Sequence, residues 1–404
     1  MPIQNKAKAV KGIYYHGKKI VKVYDHGKLA WQKQSSIPDY LCFTALEAGQ
    51  FTLTIPAAVT PTYLSYVEWS KDGRTWNHTD NTSEAVTIDV QVASGDKVYW
   101  MGSAKKMSNT QDVYSNFAST CNFDASGNIL SLLFADDFQS ATAFLENNAL
   151  TALFRNNTKL IHAHDITMPS FTRAGCFLYM FGNCTNLVSA PDLPPLTVEG
   201  SSYYAFCDGC SSLQSVPTIL ATTVTGRYAM YRMFRNCTSL QGGVSISVQL
   251  NPIGVADCQQ AFHEMFYGCA GITSATITTT GVSPLLFEGC FRGCTALTAI
   301  HYTSPTTTAN RMFRQMCYGC TSLTTAFTLN ATTLDTQCCE QMFYGCSSLS
   351  YVKCLATDIS ATNCLTNWLY NVSSTGTFIQ ASGVTWPRGA SGIPNNWTIE
   401  TQTT

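Results

Sequence analysis

Charge is scarce in this sequence. Lys and Arg number 24 and Asp and Glu 25 among 404 residues, a charged share of 12%, where soluble proteins carry about a quarter. The net charge of -1 leaves no overall basic character for gripping a phosphate backbone, which argues against a nucleic-acid binder. No apolar run approaches the roughly 18 residues that a spanning helix needs, so membrane insertion is not expected. The opening MPIQNKAKAVKGIYYHGKK has no apolar signal-peptide core and no lipid-attachment cysteine, so the usual secretory route is not expected either. Phosphate loops, Gly-x-Ser-x-Gly elbows and carboxylates paired in a cleft-like pattern are missing. Neither an enzyme nor a cofactor is expected.

Thr, Ser, Asn and Gly take the place of the missing charge. Such neutral hydroxyl and amide surfaces are common in extracellular and virion β-proteins. A length of 404 residues leaves room for two to four domains and a large core, and hydrophobic residues at 45% suit a folded globular protein. The charge that exists is uneven. Residues 1–36 hold Lys6, Lys8, Lys11, Lys18, Lys19, Lys22, Lys28 and Lys33 against a single acid, Asp25. This is either a solvated hairpin or a docking element for an acidic partner.

The expected architecture is mainly β with short helices. Tyr15-His16-Gly17-Lys18 and Asp25-His26-Gly27-Lys28 repeat one turn, and alternating Val21, Val23, Leu29 and Trp31 mark a β-meander within an N-terminal anchoring segment, 1–36. Phe51, Leu53 and Ile55, then Val86, Ile88, Val90 and Val92, alternate with polar residues, which predicts an immunoglobulin-like β-sandwich over 37–106. Residues 107–150 are expected to be a linker that caps the first of a series of repeats.

The repeats begin at about residue 151. Met180-Phe181-Gly182-Asn183-Cys184-Thr185-Asn186-Leu187 recurs around Cys210, Cys237, Cys269, Cys294, Cys320 and Cys346, with degenerate copies at Asn157 and Val372. Intervals run from 25 to 27 residues, with one of 32, inside the leucine-rich range. An apolar residue four before the Phe position predicts one face of a short helix. Gly or Asn before the cysteine predicts a left-handed helix end, and the apolar residue three beyond the Leu predicts a short strand. Coils of this kind stack into a solenoid over 151–376, closed by a C-terminal cap at 377–404.

The eighteen cysteines are read as repeat core rather than disulfides or metal ligands. Cys207-x-x-Cys210 and Cys317-x-x-Cys320 each resemble half a zinc site, but four coils at about 4.8 Å separate them. That distance is far beyond the roughly 2.3 Å of a Zn–S bond. Adjacent Cys338 and Cys339 are expected to face opposite ways. His162-Ala163-His164-Asp165 and His263-Glu264 read as structural, since no further ligand falls at the needed spacing.

The string Met-Phe-x-Gly-Cys-Thr-Ser-Leu followed by Ala-Thr-Thr, with the ending from Asn367 to Phe378 and Gly392-Ile393-Pro394 before Trp397, resembles the BspA-like leucine-rich repeat proteins of gut Bacteroidetes and their phages. The resemblance spans roughly residues 125–404. It implies surface adhesion and recognition of host factors. The lysine-rich start resembles N-termini of Bacteroides phage structural proteins. The implied role is a virion fibre or appendage subunit, docked to other virion proteins through 1–36 and presenting the solenoid to a host-surface glycan or protein. A homo-oligomer, such as the trimer common among fibres, fits that role. The alternative is a bacterial cell-surface adhesin. The candidate contact residues form a column two before the cysteine: Tyr267, Arg292, Tyr318, Tyr344 and Tyr370. Stacked, they would make an aromatic strip suited to sugar rings or protein contact.

Overall fold

The computed structural model describes residues 14–15, 18–19, 22–25, 28–32, 37–60, 62–80, 84–250, 258–279 and 281–402. It is mainly β. Residues 1–39 and 40–404 form two units. In the first, β1 (Tyr14–Tyr15) pairs antiparallel with β2 (Lys18–Lys19), and β3 (Lys22–Asp25) with β4 (Lys28–Gln32). The expected turns at His16-Gly17 and His26-Gly27, and the side chains of the eight lysines, lie outside the described residues.

The second unit opens with β5 (Leu41–Ala45), β6 (Gly49–Ile55), β7 (Leu64–Ser70), β8 (Asn77–Asp80), β9 (Val86–Val92) and β10 (Lys97–Ala104). Two more strands, β11 (Asn116–Ser119) and β12 (Phe123–Asn128), come next, in the stretch expected as linker and cap. They are integral to two sheets, ordered β11-β6-β9 and β12-β5-β10-β7-β8. Phe43 and Trp100 of the larger sheet meet Phe117 of the smaller at 4.7 and 5.0 Å, and Phe51 meets Phe123 at 5.1 Å. These five rings are fully or almost fully buried and form the core between the sheets. A short helix α1 (Ser131–Phe134) and a 3-10 turn (Ala135–Ser140) complete this region.

The larger sheet then continues into the repeats, because β12 pairs parallel with β13 (Leu160–Thr167). Phe154 of the first coil touches Phe43 at 5.7 Å and Phe117 at 5.6 Å and stacks on Phe181 of the next coil at 5.3 Å. One hydrophobic core thus runs from the sheets into the coils. Further along come β14 (Thr197–Val198), β15 (Thr223–Val224), β16 (Gln241–Ile246), β17 (Gln249–Leu250), β18 (Gly271–Ile277), β19 (Ala299–Tyr302), β20 (Tyr351–Cys354), β21 (Thr377–Gln380) and β22 (Thr398–Thr401). They pair in parallel as β14-β15-β17, β16-β18-β19 and β20-β21-β22.

The segment expected as a short helix in each coil is not one. It is a ladder of four-residue turns. In one coil Gly175, Tyr179 and Asn183 have positive φ; in another Arg311, Gln315 and Gly319 do, and the same three positions recur in nine successive coils. Peptide N–H groups alternate in destination. Those of Cys176, Leu178, Met180, Gly182 and Cys184 donate three residues back within the coil. Those of Gly175, Phe177, Tyr179, Phe181 and Asn183 donate to Gly200, Ser202, Tyr204, Phe206 and Asp208 of the next coil, at 2.7 to 3.1 Å. A helix would keep every N–H inside the segment.

Two consecutive residues per turn face inward. Cys338 and Cys339 therefore share the core, with their sulfurs 3.5 Å apart, rather than facing opposite ways. Left-handed backbone costs an L-residue about 1–2 kcal/mol. It is offset here by a coil-to-coil hydrogen bond and by burial of the inward pair. No β-branched residue occupies any of these positions, as their stiff χ1 would require.

The seven repeat cysteines are fully buried, and each thiol has a fixed partner. Cys184 Sγ donates to Phe154 O at 2.9 Å, Cys210 to Phe181 O at 3.0 Å, Cys237 to Cys207 O at 3.1 Å and Cys269 to Phe234 O at 3.0 Å. Cys294, Cys320 and Cys346 donate likewise to Phe266, Phe291 and Cys317. Burial pushes the Cys184, Cys237, Cys294 and Cys346 thiols well up and Cys269 to about 12, which keeps them protonated donors. In the degenerate first copy, Asn157 Nδ2 donates to Phe117 O at 2.9 Å. Strand β11 thus occupies the place of a preceding coil. Where Cys207 replaces the usual Phe, Phe206 fills the space, edge-on to Phe181 at 5.2 Å. At the far end Trp368 Nε1 donates to Gly392 O and Trp397 Nε1 to Ser373 O, and Trp386 stacks on Trp368 at 5.7 Å.

Ser201 has φ 57, a conformation that glycine adopts freely and a β-branched residue resists. Ser201→Gly is expected to stabilise by about 1 kcal/mol and Ser201→Val to destabilise by about 1–2 kcal/mol. Urea unfolding checks this. The opposite order would contradict the left-handed assignment.

Candidate functional site

The turn ladder sets which side chains face outward, and the same outward position recurs every coil. Two residues before the cysteine, the column is continuous. Arg235 lies 5.4 Å over the Tyr267 ring, and Arg292 lies 5.5 Å over Tyr267 and 4.6 Å over Tyr318. Tyr318 stacks on Tyr344 at 4.6 Å and 4°, and Tyr344 on Tyr370 at 5.0 Å and 24°. All five candidate residues are thus brought into one stack. Tyr267, Arg292, Tyr318 and Tyr344 are half-buried and Tyr370 is 41% exposed.

The geometry alters what this strip can bind. Both faces of Tyr344 are covered by its neighbours, so a sugar ring has no aromatic face to stack on there. Ring edges and hydroxyls remain, a row of donors and acceptors one coil apart. Only the outer end of the row, at Tyr370, leaves much of a ring exposed. Desolvation and the two neighbouring tyrosines hold the Tyr344 phenol above its ordinary value, so it stays a neutral donor.

A second column, six before the cysteine, lies on the same ladder and is not marked by any motif in the sequence. Tyr204 stacks on Tyr231 at 4.6 Å and Tyr231 on His263 at 4.8 Å. His263 Nδ1 faces Glu288 Oε2 at 3.9 Å. Arg314 then bridges Glu288 at 2.6 Å and Glu340 at 3.1 Å. Between the columns Arg232 bonds Glu264 at 2.7 Å, Arg292 donates to Gln315 at 2.7 Å and Gln315 to Gln341 at 2.6 Å. The signal that could have found it is the same coil spacing, counted from a different offset. These bonds hold long side chains in fixed positions on the surface.

Two carboxyls on this face are shifted apart. Desolvation raises Asp208 to about 6, against the pull of Arg235 and Arg232. Burial also pushes Glu264 upward, but the His263 ring at 3.7 Å and the hydrogen-bonded Arg232 guanidinium at 2.7 Å outweigh it and hold Glu264 at about 2. His162 shares a hydrogen bond with Asp124 at 2.8 Å and His164 one with Ser189 at 2.9 Å, so both serve the joint between β12, β13 and the second coil. All the cysteines are buried thiols outside any disulfide. Among the described residues no group of three or more His, Cys, Asp or Glu is arranged to hold a metal ion, and no helix is long and apolar enough to cross a membrane.

Residues 259–373 match the family model described as BspA type leucine rich repeat region, in six copies. The turn ladders from Asn148 to Asn236 carry the same geometry outside that match. No curated protein and no solved structure matches the chain.

The shift at Asp208 has a signed consequence. Its folded value lies above the unfolded 3.8, so the fold favours the neutral acid. That contribution is fully present below about pH 4 and is lost as pH rises through about 6. Asp208→Asn is therefore expected to stabilise by about 2 kcal/mol at pH 7.5, allowing for partial exposure, and by nearly nothing at pH 4. Urea midpoints at the two pH values check this; a pH-independent difference would contradict it.

Proposed function

We propose that the chain is a non-catalytic adhesion protein whose leucine-rich solenoid presents the outward face of its turn ladder to a host-surface glycan or protein. One observation carries the reading: the unbroken side-chain stack from Arg235 through Tyr267, Arg292, Tyr318 and Tyr344 to Tyr370. Aromatic and arginine side chains held rigidly in partial exposure are the usual anchors of recognition surfaces. The BspA-type match over 259–373 covers five of those six residues and supports the adhesive reading. A virion fibre subunit and a bacterial surface protein would both present such a stack outward, and the adhesive face is common to the two. In the fibre form of the proposal, residues 1–36 dock to other virion proteins, a homo-oligomer forms, and the two-sheet unit is an immunoglobulin-like spacer.

The test is binding of the purified chain to intact gut Bacteroides cells and to their extracted surface polysaccharide and outer-membrane protein. Combined Tyr318→Ala, Tyr344→Ala and Tyr370→Ala is expected to weaken binding about tenfold or more, or about 1.4 kcal/mol, with circular dichroism unchanged. Binding that the triple variant retains would overturn the assignment of this face.

A further inference from the structure

Among the described residues, the strand side of the stack has an open window at β16. Residues 241–249 bond to the preceding coil only at their ends. Gln241 N–H donates to Gln214 O at 3.3 Å and Gln249 N–H to Thr222 O at 2.9 Å. Along a parallel strand, alternate residues turn their peptide groups to opposite sides. Ile246 O accepts from Thr278 N–H, on the β18 side, so Gly243, Ser245 and Ser247 turn theirs toward residues 215–221. Among the described residues no backbone bond joins these three to that segment.

Two local features keep the edge open. Pro217 stands on the opposing segment and has no N–H to donate. A register shift between Gly242 and Gly243 bends β16. Between the two lies a cavity of about 240 Å³, with Val216, Ile219, Met230, Val244, Ile246 and Met265 among its lining residues. Between β19 and the next coil, by contrast, Tyr302 packs against Phe327 at 5.1 Å and Phe313 at 6.2 Å.

We propose that this window receives an extended peptide from a partner protein, which adds a strand to the free edge of β16. The edge offers an N–H at every second residue, the period of another strand's backbone. The cavity takes aliphatic side chains pointing inward at alternate positions. Its lining includes no charged residue, so the segment it accepts is uncharged. A lipid chain would leave the edge N–H groups without partners, and a glycan would leave the apolar floor bare.

The test selects peptides from a random display library on the full chain, then measures a fluorescein-labelled winner by anisotropy. Winners are expected to alternate aliphatic and polar residues. Ser245→Pro, which removes the central edge N–H, and Val216→Trp, which fills the cavity, should each weaken binding about tenfold or more. N-methylating alternate amides of the peptide tests the same hydrogen bonds with the unaltered chain, whatever the proline does to folding. Tyr344→Ala should leave peptide binding unchanged, which separates this site from the adhesive face. A library that yields no binder would overturn the proposal, as would a winner indifferent to Ser245→Pro and to N-methylation.

Discussion

The structure depends on a division of labour among peptide N–H groups. In each turn ladder one N–H closes a turn within its own coil and the next reaches out to the following coil. A helix of the same length would satisfy its own backbone and could stand alone. Here half of the donors along the ladder are unsatisfied until a neighbouring coil arrives, and a buried donor without a partner costs about 1–3 kcal/mol. Stacking is therefore obligatory. So is closure at each end: β11 takes the place of a coil before Asn157, and Trp368, Trp386 and Trp397 seal the last one.

The same division decides what the surface can do. Because coil succeeds coil at hydrogen-bonding distance, like positions align into columns. Inside, the columns become phenylalanine stacks such as Phe234, Phe266 and Phe291, at 5.6 and 5.8 Å, and the row of cysteine thiols that tie each coil to the carbonyls of the one before. Outside, they become the Arg–Tyr stack and the charge ladder beside it. Tyrosines held this closely present edges and hydroxyls rather than faces, which makes the surface they form polar and directional.

Much of this is legible in the residues, and the parts that are not have definite causes. The coil spacing shows through the cysteine and leucine identities, and the left-handed residue before each cysteine shows through Gly and Asn. The other two left-handed positions are mostly held by Tyr, Arg, Gln, Ser, Ala, Glu and Leu, and only Asn148, Gly175, Gly289, Asn363 and Asn367 show the Gly or Asn preference there, so they carry no consistent signature. Over two turns an inward residue every four positions cannot be told from a helix of 3.6, so the ladder reads as a helix. Cys338 and Cys339 are misplaced for the same reason, since a four-residue turn points consecutive side chains inward. Strands β11 and β12 escape notice because Ala118, Ala125 and Gly127 are too small to mark an alternating pattern. The order of the Arg–Tyr column is legible and its face-to-face covering is not, because that covering depends on a coil spacing no single residue reports.

The most direct test of the turn ladder is solution NMR on the full chain with selectively labelled arginine and glutamine. Left-handed backbone brings a residue's own Hα close to its amide proton. Strong intraresidue Hα–HN Overhauser effects at Arg232, Gln315 and Gln341, with the amide of Gln315 protected from exchange by Glu340 O of the next coil, are the predicted result. Weak intraresidue effects with the sequential amide contacts of a helix at those residues would contradict the account.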